Sequence, residues 1–177
     1  MNLYSTMTRE DLLKALESFA KNWLAHDGSW FLATEERFGL EMSMELDTAA
    51  WSKFAPVEAR RILKTHDLPE DGGLEVLERA LSLRMYSLLN PQRAEWSMDR
   101  KDLRFYMEGC RVQETRRRKG LADFPCRSVG MVEFAAFATA IDKRIITRCI
   151  HCPPESPPGV FCAWAFSMGP EIDKSAV

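Results

Sequence analysis

The chain has 177 residues, 46% of them hydrophobic and 28% charged, with a net charge of −2. That length fits one domain, or one domain with an appended layer, and the composition excludes long disorder. The near-neutral balance supplies no global field for nucleic acid or an anionic membrane. No run approaches the ~20 apolar residues of a membrane span. The first eleven residues lack the basic and apolar regions of a signal peptide, so the cytoplasm is the expected compartment.

Thr8 followed by Asp11 reads as a helix N-cap with an acid in the first turn. Leu12, Leu16, Phe19, Trp23, His26 and Trp30 then recur at spacings of four and three, the apolar stripe of one long amphipathic helix ending near Gly39. Asp47 is positioned to cap the next helix, which carries Trp51, Phe54 and Ile62, with Pro56 as a kink or a new start. After the loop Asp71-Gly72-Gly73, a third stripe (Leu74, Leu77, Leu81, Met85, Leu88) runs to Asn90-Pro91.

The period then changes. Leu103, Phe105 and Met107 alternate with polar residues as in a half-buried strand. Trp96 and Met98 suggest its partner, with a turn over residues 99–102. Residues 111–119 read as a helix closed by Gly120, and residues 128–140 as a buried one. Residues 143–150 and 160–167 read as two further strands, joined by a Pro-rich loop, and the tail after Gly169 is expected to fray. The pattern predicts one α+β domain over residues 1–177. Its N-terminal helical layer (residues 8–90) packs on a C-terminal antiparallel sheet of about four strands with interposed helices (residues 93–168).

The chemistry concentrates in five cysteines, Cys110, Cys126, Cys149, Cys152 and Cys162. In a reducing compartment, and at an odd count, they fit a disulfide framework poorly. Cys126 falls at a helix start, where free N–H groups favour a thiolate. Cys149 and Cys152 enter a Pro-restrained loop that can present two thiolates to one metal. With Cys162 the set can supply the four soft ligands that zinc, or a similar soft metal, prefers. Burial as small apolar residues is the alternative.

His26 stands on an apolar stripe beside Asp27, and Gly28 costs about 1 kcal/mol in a helix interior. Such departures mark sites or close approaches. Glu58 and Arg84 both fall on apolar stripes and are expected to pair across the bundle. His26, Asp27 and Glu58 are the candidate acid/base groups; Trp30, Arg84, Arg111 and Gln113 are the candidate ligand-binding residues. The basic run Arg116-Arg117-Arg118-Lys119 reads as a solvated helix end rather than a nucleic-acid surface.

Several segments together resemble an uncharacterised family of prokaryotic cytosolic proteins over nearly the whole chain. They are Asn22-Trp23-Leu24-Ala25-His26-Asp27-Gly28 with Trp30-Phe31, Cys110-Arg111-Val112-Gln113, Asp123-Phe124-Pro125-Cys126 with Ser128-Val129-Gly130, and Cys149-x-x-Cys152-Pro153-Pro154 with Cys162-x-Trp164-x-Phe166. The C-terminal third is more distantly similar to L-2-amino-thiazoline-4-carboxylic acid hydrolase-like proteins. The layout is also similar to 4-vinyl reductase-type domains, some of which hold zinc through cysteines. The cysteine pattern leads to the expectation of a cytosolic protein with a cysteine-ligated zinc site beside a small-molecule pocket and, if it is an enzyme, metal- or thiol-assisted hydrolysis of a small polar substrate as the reaction class. A non-catalytic ligand- or redox-sensing module is the alternative. Whether the chain is an enzyme, and whether it forms a homodimer, the residues leave open.

Overall fold

The computed structural model describes residues 2–170, so the expectation for the tail concerns residues that lie almost wholly outside it. The architecture is α+β: two long helices and a short one, then a four-stranded antiparallel sheet with two further helices interposed.

Helix α1 (Arg9–Phe38) starts as the sequence indicates, with Thr8 accepting the Asp11 backbone N–H at 3.2 Å. A single residue separates it from α2 (Leu40–Thr65). That residue is Gly39, with φ +84°, a conformation a side chain would strain. Two helices joined by one glycine form a tight hairpin. Asp47 therefore lies inside α2 rather than capping it, and α2 runs through Pro56 unbroken. The third stripe divides: α3 (Gly73–Ser82) buries Leu74, Leu77 and Leu81, while Met85–Leu88 forms a separate 3-10 turn.

Strands β1 (Gln92–Trp96), β2 (Asp102–Met107), β3 (Ile145–His151) and β4 (Cys162–Met168) lie in the order β1-β2-β4-β3. Met98 is not in a strand; it is fully exposed in the turn between β1 and β2. Helix α4 (Arg111–Arg118) follows β2, and α5 (Arg127–Ile141) precedes β3.

The core lies between α2, α3, α5 and one face of the sheet. Leu103 and Phe105 of β2 pair with Phe166 and Trp164 of β4, which places four large apolar side chains together beneath α5. Phe134 of α5 stacks on Trp164 at 4.7 Å between ring centroids. Fully buried Ala55 and Ala59 let α2 approach α5 closely.

Helix α1 departs most from expectation. Its buried residues are Ala20 and Leu24, and Phe31 packs on Phe124 at 5.1 Å. The regular stripe lies on an adjacent face and stays in solvent: Leu12, Leu16, Phe19, Trp23 and Trp30 are all exposed, Trp30 at 67%. The periodicity signals a helix correctly. Which neighbour, if any, covers a stripe is a tertiary matter that periodicity does not contain.

Candidate functional site: a thiol cluster and a buried guanidinium

The five cysteines gather where α4, α5 and the β3–β4 end of the sheet meet. Cys110 and Cys126 occupy the residues just before α4 and α5, Cys149 lies in β3, Cys152 follows it and Cys162 opens β4. Cys149 Sγ and Cys152 Sγ are 3.3 Å apart. Gln113 organises the approach: its buried amide donates to the Phe124 carbonyl at 2.7 Å and accepts the Phe124 N–H at 2.9 Å. The same Nε2 lies 3.8 Å from Cys126 Sγ, and the Trp164 indole N–H donates to Cys162 Sγ at 3.4 Å.

Cys152 is the hub of this cluster. Its hydrogen bonds to Cys126 and Cys162, together with burial, hold its thiol well above the ordinary range. The Cys126 thiol is lowered, chiefly by the hydrogen bond from Cys152, with its own backbone N–H and Gln113 helping against burial. Burial pushes Cys110 up to about 12. The cluster thus sets one lowered thiol, Cys126, beside two raised ones, Cys110 and Cys152.

The zinc reading is corrected by this geometry. Among the described residues no group of three or more His, Cys, Asp or Glu is arranged to hold a metal ion. The 3.3 Å separation of Cys149 and Cys152 would subtend roughly 90° at a metal ~2.3 Å from each sulfur, well short of a tetrahedral angle.

The second cluster is built on Arg84, between α3 and the 3-10 turn. Its Nε donates to Glu58 Oε2 at 3.0 Å. One terminal nitrogen ion-pairs with the same oxygen at 2.9 Å and with Glu133 Oε1 at 2.7 Å. The guanidinium carbon lies 4.8 Å from the Phe137 ring centre and 5.1 Å from that of Tyr86. Burial works against its charge, but Glu133 and Glu58 outweigh burial and hold Arg84 firmly protonated. One cation does not balance the carboxylates around it. Burial raises Glu133 despite Arg84, and raises Asp27 despite His26. Asp47 reaches about 7, through burial first and then Asp27 and Glu133.

The candidate residues are thus distributed unevenly. Glu58 meets Arg84, and Gln113 meets Cys126, whereas His26 and Trp30 lie on the exposed side of α1, edge to face at 6.5 Å. Arg111 is half-buried and gives its backbone N–H to Asn90 at 3.2 Å. Gly28 marks no close approach; a Cβ there would meet nothing within 4 Å. In the basic run, Arg116 is buried in a two-pronged pair with Glu35 at 2.5 and 2.9 Å, and Arg117 pairs with Asp123. Those two arginines serve the fold. Glu133 escapes sequence reasoning, although it is the lone charge in the apolar stretch of residues 128–140. Asp47 is hidden from it too, because its composition and place suggest a cap.

No described helix is long and apolar enough to cross a membrane. No curated protein matches the chain in sequence. In fold it is similar to the crystal structure of a trafficking protein particle complex subunit 3 from Naegleria fowleri covalently bound to palmitic acid. The TM-score is 0.55 at 8% identity, covering 89% of this chain and 97% of that one. This likeness is one of fold, and it lends no support to the hydrolase-like or 4-vinyl reductase-type resemblance. With the metal geometry missing as well, the expectation of a zinc-ligated, small-molecule-binding hydrolase is overturned, and so is its ligand- or redox-sensing alternative. A family model matches residues 5–168, and the chain belongs to that family, one of unknown function, DUF6125.

Proposed function

We propose that the protein is a non-catalytic assembly subunit that pairs with a second copy of itself through α1. The carrying observation is the exposed stripe Leu12, Leu16, Phe19, Trp23, His26 and Trp30, whose alternating spacings of four and three are those of a coiled-coil seam. A contiguous apolar stripe left in solvent marks an interaction surface.

The charges on α1 favour a like partner. Lys14 pairs with Glu10 at 2.7 Å and Lys21 with Glu17 at 2.6 Å, within the helix and off the seam. Both lysines of this stretch are matched within the helix, so an identical apolar seam is the fitting occupant, related by a twofold axis. Full burial of each half-exposed seam residue contributes about 1 kcal/mol, on the order of 10 kcal/mol for both protomers. That is the size of the cost of association itself, so the dimer is weak and concentration-dependent. The fold likeness adds one point: the neighbour is, by its title, a subunit of a complex.

Sedimentation velocity over a wide concentration range tests the proposal. The expected result is a monomer–dimer equilibrium that Leu16→Lys shifts to monomer without loss of helical signal. A chain that stays monomeric at every concentration would overturn the reading, as would a dimer indifferent to the substitution.

A further inference from the structure

A cavity of about 210 Å³ opens between α1, α2 and the 3-10 turn, lined by Trp23, Trp51, Phe54, Glu58, Met85 and Tyr86. Its wall is four aromatic rings, one thioether and one carboxylate. Trp23 stacks on Phe54 at 5.8 Å, Trp51 meets Phe54 edge-on at 5.6 Å, and Trp51 lies 6.4 Å from Tyr86. Such ring faces carry negative charge density and attract cations. Two of these rings already do so: the Arg84 guanidinium carbon lies 5.7 Å from the Trp51 ring centre and 5.1 Å from that of Tyr86.

Charge balance points the same way. Arg84 faces two carboxylates, Glu58 and Glu133, with one guanidinium. Both Arg84 contacts fall on Glu58 Oε2, and neither uses Oε1. A second cation, seated among the rings next to Glu58, would offset charge that one guanidinium leaves uncompensated. The volume sets the size of that cation. It falls below the ~300–1,000 Å³ typical of pockets for whole small-molecule ligands, and it suits a head group at the end of a chain.

We infer that this cavity receives an alkylammonium or guanidinium head, presented by a lysine or arginine side chain of a docked protein. Trp23 belongs both to the cavity wall and to the exposed seam, so a protein lying on α1 passes the opening. The inference rests on the docking reading for the source of the cation, and not for the preference of the cavity.

The test is calorimetric titration of the full chain with choline and with its uncharged carbon isostere, 3,3-dimethylbutanol. Choline should bind at least about tenfold more tightly, and Trp23→Ala should abolish the difference. Phe38→Ala, at an exposed position outside both the cavity and the seam, should leave it intact. Equal binding of the two probes, or binding of neither, would overturn the inference. A lysine-bearing peptide should in turn bind more tightly than the same peptide with norleucine. If choline binds but the two peptides do not differ, the protein-borne source is overturned in favour of a free amine. Running Leu16→Lys in parallel separates the readings: choline binding retained in that variant upholds the cavity even where the seam proposal fails.

Discussion

Arg84 and Glu58, twenty-six residues apart in the chain, meet through a single carboxylate oxygen: Glu58 Oε2 lies 3.0 Å from Nε and 2.9 Å from a terminal nitrogen of the guanidinium. The Arg84 side chain is 3% exposed, so removing it strands Glu58 and Glu133 in a site with little solvent. Breaking a buried pair from one side costs about 3–5 kcal/mol. Arg84→Met should lower the urea midpoint by that equivalent. Glu58→Gln should cost less, because Glu133 remains as a partner. Equal losses in the two variants would show that the guanidinium is not the organising charge.

Asp47 makes stability depend on pH in an unusual direction. Its carboxyl moves from 3.8 to about 7 on folding, so between those values the folded chain holds a proton that the unfolded chain has lost. Stability from this group is therefore full below about pH 4 and falls as pH rises, until the loss is complete above about 7. Asp27 and Glu133 move in the same sense. Each tenfold gain in proton affinity on folding is worth about 1.4 kcal/mol at most. Asp47→Asn should raise the thermal midpoint at pH 8 and flatten its decline from pH 5. An unchanged slope would mean that Asp47 is better solvated than its burial implies.

Two helix glycines should answer alanine in opposite ways. Gly130 of α5 has Trp164 against it: an added Cβ would lie 2.6 Å from the indole. Gly130→Ala gains about 1 kcal/mol of helix propensity but overpacks a full core, which costs about 1–3 kcal/mol or more, so the net effect is destabilising. Gly28 of α1 meets nothing within 4 Å, so Gly28→Ala should stabilise by about 0.4–1 kcal/mol. Denaturation curves of the two variants check both signs at once.

The thiols should react in a fixed order. Cys126 has the lowered thiol and is half-buried, while Cys152 is 2% exposed and raised. Thiolate fraction and access together set the rate. Iodoacetamide at neutral pH, followed by peptide mass spectrometry, should label Cys126 first and Cys152 last. Removing its donor, in Cys152→Ala, should slow Cys126. Faster labelling of Cys126 in that variant would show that Cys152 shields it more than it activates it.

The fold class is legible because its signals are local. A 3.6-residue period, a two-residue period and Gly or Pro punctuation suffice to separate helices from strands, and residues 103–107 and 162–166 show it. The Glu58–Arg84 pair is legible too, because a charge on an apolar stripe needs a partner and there is one on each of two stripes. Three things are not. Asp47 resembles a cap by composition, but the one-residue hinge at Gly39 lets α2 begin seven residues earlier. The cysteines converge as their spacing suggests, yet spacing does not specify whether sulfurs point at a shared centre or at one another. And the stripe on α1 is as regular as any core stripe, while the core takes the face beside it.

That choice of face has a mechanical consequence. Helix α1 is clamped towards its far end, by Trp23 on Phe54, Phe31 on Phe124 and Glu35 on Arg116, whereas none of residues 9–19 is buried. It is a cantilever about 45 Å long, fixed near its root and bare at its tip. A cantilever is displaced most at its free tip, and an unburied helix end frays, so amide exchange should be fastest in the first three turns and fall towards the clamp. Anything that grips the tip would stiffen the beam and transmit its load to the root. There Phe31 and Glu35 meet Phe124 and Arg116, beside the amide of Gln113 that positions Cys126.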